Sequence, residues 1–83
     1  MKLRYFAWLR QKIGHGEETL QPPASVTNVG ELLTWLATLG PGYAAALADR
    51  KAIRVAVNQD YVGSNHPVGA NDEVALFPPV TGG

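Results

Sequence analysis

The most unusual chemical group in this sequence is the terminal carboxylate that follows the doublet Gly82-Gly83. Glycine makes up about 7% of average sequences, so two terminal glycines occur by chance in well under ~1% of chains. Glycine has no Cβ, so such a chain end can enter a narrow tunnel and approach a nucleotide phosphate closely. A carboxylate is a poor electrophile until it becomes a mixed anhydride, for example with AMP. The chain end therefore predicts acyl activation at Gly83.

The other reactive residue types form no catalytic pattern. The chain has no cysteine, which excludes disulfides, thiol nucleophiles and cysteine zinc sites on its own side chains. Neither a phosphate-binding loop nor a dinucleotide-binding fingerprint occurs. His15 and His66 have no ligand-like spacing, so we predict two solvated loop histidines and no metal site. The adjacent carboxylates of Glu17-Glu18 and Asp72-Glu73 point to opposite faces of their strands, which predicts surface roles.

These absences place the activating chemistry on other proteins. Without a nucleotide-binding motif, the chain is expected to bind no cofactor, and ATP is used by a partner. Without cysteine, any sulfur that the chain carries must sit at its terminus, as a thiocarboxylate. Pro78-Pro79 favours a stiff, extended exit, and residues 79–83 can project ~15 Å at roughly 3.1 Å per residue. We expect this tail to be mobile, because nothing in it can pack.

Length and composition indicate one small globular unit. The 83 residues are 46% hydrophobic and 17% charged, so we predict a folded domain over residues 1–78 and a tail over residues 79–83. Seven basic residues balance seven acidic ones, which argues against a nucleic-acid partner. Early charges exclude a signal-peptide core, and no apolar run reaches the ~18 residues of a membrane span. We therefore expect a soluble, cytoplasmic protein.

Hydrophobic periodicity predicts five strands and one main helix. Asn28 and Glu31 have capping-box spacing, and an apolar stripe at helical spacing follows, with Gly40 as the stop. Short helical segments are predicted at 8–13 and 43–48. Alternating or β-branched residues predict strands at 2–8, 17–21, 53–57, 61–62 and 73–77.

This element order predicts an α+β fold of the β-grasp, or ubiquitin-like, type. One main helix covers one face of a mixed sheet of about five strands, with the first and last strands parallel and central. Val74 and Leu76 would face the helix, which places Phe77 on the other face. Beside Phe77 the pattern places a second aromatic residue and basic residues, which predicts a partner-binding patch: Phe77, Phe6, Arg4 and Arg54. Burial of Phe77 under a loop stays open as the alternative.

Several runs resemble the small, sulfur-carrier subunits of molybdopterin synthase (MoaD-type). They are Leu3–Arg10, Val29–Leu33, Val55–Asn58, Tyr61-Val62 and Asp72–Gly83. The resemblance extends over essentially the whole chain. Its most specific element is the ending Phe-Pro-Pro-Val-Thr-Gly-Gly.

The resemblance implies a role for the tail and a set of partners. An E1-like adenylyltransferase would adenylate Gly83 with ATP, and a persulfide donor would supply the sulfur of a Gly83 thiocarboxylate. Pro79, Val80, Thr81 and Gly82 would enter the large, catalytic subunit, where sulfur passes to cyclic pyranopterin monophosphate in molybdenum cofactor biosynthesis. The family assembly is a heterotetramer, and the catalytic side chains belong to the large subunit.

Three alternatives share the fold. A ubiquitin-like modifier would use the same activated Gly83 to form an isopeptide bond with a lysine. A sulfur carrier for another pathway would differ only in the acceptor. An interaction module with an inert tail would not need Gly83 at all.

Overall fold

The computed structural model describes residues 1–79 of the chain. The strands are β1 (Lys2–Tyr5), β2 (Glu17–Thr19), β3 (Arg54–Val57), β4 (Asp60–Val62) and β5 (Glu73–Phe77). The helices are α1 (Trp8–Ile13), α2 (Val29–Leu36) and α3 (Pro41–Ala46), and a 3-10 helix (Arg50–Ala52) precedes β3. No helix within residues 1–79 is long and apolar enough to cross a membrane.

The five strands form one mixed sheet in the order β2-β1-β5-β3-β4. β1 and β5 are parallel and adjacent, with Lys2 opposite Glu73 and Tyr5 opposite Leu76. The remaining neighbours are antiparallel, and Arg54 of β3 lies opposite Phe77 of β5. The predicted β-grasp architecture is confirmed, with β5 in the middle of the sheet.

Helix α2 begins as its sequence predicts. The side chain of Asn28 accepts a hydrogen bond of 2.8 Å from the Glu31 N–H. The Glu31 carboxylate turns back one residue further than in a standard capping box and accepts from the N–H and hydroxyl of Thr27, at 2.8 and 2.7 Å. The first contact satisfies an N–H group that the first turn leaves unpaired, and the second fixes the residue that precedes the cap.

The end of α2 differs from the prediction, which placed the stop at Gly40. The helix ends at Leu36 and is capped by Ala37, whose N–H is the last to bond four residues back, to Leu33 at 3.1 Å. The following two N–H groups bond three residues back: Thr38 to Trp35 at 3.0 Å and Leu39 to Leu36 at 3.0 Å. The Thr38 hydroxyl also donates to the Trp35 carbonyl, at 2.6 Å. These bonds tighten the last turn and satisfy carbonyls that a longer helix would have used.

The core lies between α2 and one face of the sheet. The stripe of Val29, Leu32, Leu33 and Leu36 is buried, as predicted. It packs against inward side chains of β1, β3 and β5, which are Leu3, Tyr5, Val55, Val57, Val74 and Leu76. Within residues 1–79, no buried side-chain polar atom lacks a hydrogen-bond partner.

Two strands are shorter than predicted by two residues or more, and β3 begins one residue later, at Arg54. β1 ends at Tyr5 rather than Trp8, because Ala7 adopts φ 55° and ψ −132° and turns the chain into α1. Ala7 is exposed. β2 ends at Thr19 rather than Gln21, and Leu20 instead donates its N–H to the Met1 carbonyl at 2.9 Å.

The β3–β4 turn is a two-residue turn made without glycine. Asn58 and Gln59 have φ of 51° and 73°. Both values suit the twist of a tight hairpin, but they are unfavourable for a glutamine side chain. The Asn58 amide compensates locally, since it donates to the Asp72 carboxylate at 3.0 Å and accepts from the Glu73 N–H at 3.0 Å. The hairpin is thereby attached to the start of β5.

Helices α1 and α3 pack so closely that one position requires glycine. A Cβ on Gly42 would lie 2.5 Å from the Lys12 carbonyl oxygen, which belongs to the rigid backbone of α1. A side chain at residue 42 would therefore force the two helices apart.

We predict that Gly42→Ala lowers the free energy of unfolding by about 1–2 kcal/mol, because the clash outweighs the better helix propensity of alanine. Urea unfolding followed by circular dichroism measures this. Gly63→Ala is the matched control: a Cβ there meets nothing within 4 Å, and stability should be unchanged or slightly higher. Equal stabilities of the two variants would contradict the packing argument.

Candidate functional site

The sheet has one face that the helices do not cover, which we call the open face. Strand register places Arg4, Ala75, Ala56 and Tyr61 in one row across β1, β5, β3 and β4. The next row, towards the end of β5, contains Phe77 opposite Arg54. This face therefore presents aromatic, small and basic side chains side by side.

Two aromatic rings meet across β3. The rings of Tyr61 on β4 and Phe77 on β5 lie 5.4 Å apart, although their strands are not neighbours. Ala56 of β3 lies on the same face, and its small side chain leaves room for the two rings to approach each other. Ala56 is only 6% exposed. Tyr61 itself is 79% exposed. The pair forms an apolar surface next to the end of β5.

Phe6 extends this surface towards β1. Its N–H donates to the Leu76 carbonyl at 3.1 Å, which continues the β1–β5 pairing and gives Phe6 the register position beside Phe77. The Phe6 ring is 44% exposed and lies 5.9 Å from the guanidinium carbon of Arg4. Arg4 also approaches two carboxylates, Glu17 at 3.9 Å and Glu73 at 3.5 Å. Its charge is therefore partly balanced within the sheet.

The open face brings together the four residues of the predicted patch. Arg4, Phe6, Arg54 and Phe77 share it, and Phe77 is half-buried against Tyr61 rather than under a loop. Tyr61 was missed as a member of the patch. The alternation of the β3–β4 hairpin could have found it, because the residue opposite Ala56 must share its face.

The chain leaves the sheet beside this surface. β5 ends at Phe77, and the half-buried Pro78 and Pro79 follow. The predicted tail residues Val80, Thr81, Gly82 and Gly83 lie outside the described residues. Their roles, the mobility of the tail and the boundary between residues 78 and 79 stay predictions.

A polar cluster lies where β1, β2 and α3 meet, away from the open face. One carboxylate oxygen of Glu18, Oε2, accepts from the hydroxyls of Tyr5 and Tyr43, at 2.8 and 2.7 Å, and lies 2.9 Å from Nε2 of His15. The three rings are arranged edge to face, with centroids 6.0 to 6.5 Å apart. His15 is exposed in its loop, as predicted, although its ring also contacts Glu18. The prediction of a surface role for Glu18 is wrong, because its side chain is only 19% exposed and binds both tyrosines. His66 is exposed in its loop, as predicted.

The electrostatics of this cluster favour a charged carboxylate and neutral phenols. Burial alone would raise the pKa of Glu18, but hydrogen bonds from His15, Tyr43 and Tyr5 outweigh it, so the pKa is lowered. Burial, and then the contact with Glu18, raises the pKa of Tyr43 to about 12. The same causes raise the pKa of Tyr5 still further. The cluster is thus a set of satisfied hydrogen bonds that joins β1, β2 and α3.

No metal centre accompanies either group of residues. Within residues 1–79, no three histidine, aspartate or glutamate side chains converge as metal ligands. The open face and the adjoining chain exit form the candidate site.

Comparisons with known proteins agree with this fold. The model of the ThiS family matches residues 3–83. The chain belongs to the ThiS family. It is 39% identical over 83 residues to the molybdopterin synthase sulfur carrier subunit of Escherichia coli K12, covering 100% of this chain and 99% of that protein. It is 34% identical over 83 residues to the protein of the same name from Haemophilus influenzae, with 100% and 99% covered.

A solved structure shows the same architecture. The crystal structure of small archaeal modifier protein 1 from Haloferax volcanii superposes with a TM-score of 0.74 at 29% identity. The match covers 96% of this chain and 97% of that one. The resemblance to molybdopterin synthase small subunits noted in the sequence is confirmed by the curated relatives.

We predict that Glu18→Gln lowers the free energy of unfolding by about 1 kcal/mol at neutral pH, because an amide oxygen accepts hydrogen bonds more weakly than a carboxylate. Because the pKa of Glu18 is lowered by folding, its stabilisation is complete above the ordinary value of 4.5 and is lost as the pH falls further. The variant should therefore lose less stability than the wild type below that pH.

Melting temperatures between pH 3 and 7 test this. Glu17→Gln is the matched control, since the side chain of Glu17 is 59% exposed and accepts no hydrogen bond from a tyrosine. An acid dependence of Glu18→Gln equal to that of the wild type would contradict the assignment.

Proposed function

We propose that this chain is the sulfur carrier of a molybdopterin synthase, with the terminal carboxylate of Gly83 as the carrying group. The observation that supports this most strongly is the 39% identity across the whole chain to the Escherichia coli protein of that name. The absence of cysteine adds support, because it leaves the terminus as the place where sulfur can be attached.

The proposed chemistry runs through an activated terminus. An E1-like adenylyltransferase uses ATP to convert the Gly83 carboxylate into an acyl adenylate and releases pyrophosphate. The terminal sulfur of a persulfide donor then attacks the adenylate and displaces AMP, which gives an acyl disulfide. A second thiol on the donor side cleaves this S–S bond, so that the thiocarboxylate is released and the two donor sulfurs are left as a disulfide. Inside the large subunit this sulfur passes to cyclic pyranopterin monophosphate, and two such transfers complete the dithiolene. In this scheme the chain contributes no catalytic side chain and binds no cofactor itself.

The folded domain has the task of presenting the tail. The tail, residues 79–83, is proposed to enter the large subunit, while the open face docks on its surface. The aromatic pair Tyr61 and Phe77 lies directly beside the chain exit, so one partner can bind both at once. Aromatic side chains in such a position commonly contribute a large share of the binding energy.

Protein conjugation is the second candidate function. The similarity to small archaeal modifier protein 1 supports it, at 29% identity over nearly the whole chain. The chemistry is the same as far as the adenylate, after which a lysine replaces sulfur as the nucleophile. The higher identity to the sulfur carriers favours the first candidate.

Deletion of Gly83 tests the proposed chemistry. We predict complete loss of pterin dithiolene formation in a reconstituted reaction with the large subunit and thiocarboxylated carrier, because the truncated chain ends one residue short of the reacting position. Mass spectrometry of the intact chain from cells should show a mass increase equal to one sulfur-for-oxygen exchange. Higher-mass conjugates instead of this product would support the modifier, and full activity of the truncated chain would refute both.

Substitutions on the open face test the docking surface. We predict that Phe77→Ala and Tyr61→Ala each weaken binding to the large subunit by about tenfold or more, since each removes an interfacial aromatic ring. Tyr61→Ala should hardly change the melting temperature, because the side chain is 79% exposed.

Leu39→Ala is the matched control for these variants. Leu39 is also an exposed large hydrophobic residue, at 38%, but it lies just after α2 and not on the open face. Calorimetric titration measures the affinities. Affinities of the two aromatic variants that match those of Leu39→Ala and the wild type would remove the open face from the interface.

A further inference from the structure

We infer that Lys51 and Arg54 form a cationic pair that docks against an acidic rim on the protein that receives the tail. The inference rests on the proposed function and adds the chemical character of the partner's surface. It follows from the position of the two side chains, from their unbalanced charge and from the distribution of acidic residues over the fold.

The cationic pair lies next to the chain exit. Arg54 is opposite Phe77 in the pairing of β3 with β5, so it flanks the last residue of the central strand. Its Nη1 donates to the carbonyls of Lys51 and Ile53, at 3.1 and 3.2 Å. These bonds hold the guanidinium close to the 3-10 helix that carries Lys51. Both side chains belong to exposed residues.

The charge of the pair is not neutralised within the described part of the chain. Among residues 1–79, the ion pairs involve Arg4 and His15, and neither Lys51 nor Arg54 has a carboxylate oxygen within 4.0 Å. Asp49 is the nearest acidic residue in sequence, and its side chain accepts from the Lys51 backbone N–H at 3.2 Å. A partner carboxylate could therefore bind either cation without displacing an existing ion pair.

Three of the seven acidic residues lie at the opposite end of the sheet. Asp60 begins β4 after the hairpin turn, and Asp72 and Glu73 stand at the start of β5, with Lys2 opposite Glu73. At the exit end Glu17 lies 3.9 Å from an arginine of β1, whereas the cationic pair has no such carboxylate among residues 1–79. This local positive charge would orient the exit end towards a negative surface.

An acidic protein surface fits the pair better than two other anions. A nucleic acid would require a wider basic surface than two side chains on a chain of zero net charge. The chain's own terminal carboxylate follows Pro78 and Pro79 in sequence, whose fixed φ angles favour an extended backbone over a tight turn. A partner that accepts the tail, however, must pass alongside both cations to reach it.

Association kinetics with the large subunit test the inference. The double variant Lys51→Glu/Arg54→Glu should associate about tenfold or more slowly at low ionic strength, because like charges then meet at the rim. The difference should shrink as salt is added, since the interaction is exposed to screening. Stopped-flow fluorescence of the labelled large subunit measures both.

Three control chains separate this effect from net charge and from misfolding. Lys2→Glu reverses one charge, as each single substitution of the pair does, but at the far end of the sheet, and should alter the rate by less than about twofold. Arg54→Lys keeps the charge and should associate at close to the wild-type rate. Lys51→Gln/Arg54→Gln removes both charges and should associate at an intermediate rate with an unchanged melting temperature. This variant replaces the double glutamate variant if the latter folds poorly.

The outcomes distinguish failure of the inference from failure of the proposed function. If the unsubstituted chain does not bind the large subunit, the proposed function fails and the inference fails with it. If it binds and the double variants associate equally fast, only the inference fails. Faster association of the double variants would mean that the pair holds the chain's own tail, and an equal effect of Lys2→Glu would mean a general charge effect. Either result overturns the inference.

Discussion

Parallel pairing of β1 with β5 is the constraint on which the rest of the fold depends. It places the first and last strands side by side, fixed at one end by the Lys2 N–H to the Asp72 carbonyl at 3.0 Å and at the other by the Phe6 N–H to the Leu76 carbonyl at 3.1 Å. Parallel neighbours need a long connection, so every other element must be accommodated between them. Because β5 is paired on both sides, the chain leaves the sheet from a backbone that cannot shift without breaking two ladders.

That constraint also divides the sheet into two surfaces with different tasks. The inner face holds the aliphatic core under α2, and its side chains come from alternate positions of every long strand. The same alternation assigns Phe77 and Arg54 to the open face. Stability and the proposed recognition therefore depend on the same strands but on different residues. A substitution on the open face can change binding while the core stays intact.

The features that could be predicted from the sequence are those that depend on local periodicity. The α2 stripe, the Asn28 cap and strand β5 need only neighbours within a few residues, and each was predicted correctly. The cluster around Glu18 could not be predicted, because its partner Tyr43 lies 25 residues away and meets it only after α3 packs. The contact between Tyr61 and Phe77 likewise depends on sheet order. Ala7 and Gln59 adopt positive φ angles that their residue types give no reason to expect.

The two edge strands of the sheet influence whether copies of the chain aggregate at high concentration. β2 and β4 have three residues each, and both include acidic residues, among them Glu17 and Asp60. An edge this short offers few free backbone groups to an incoming strand, and its negative charges repel a second copy that approaches edge to edge. The sheet can thus keep an aromatic face uncovered for its partners without offering its borders as a template for fibrils.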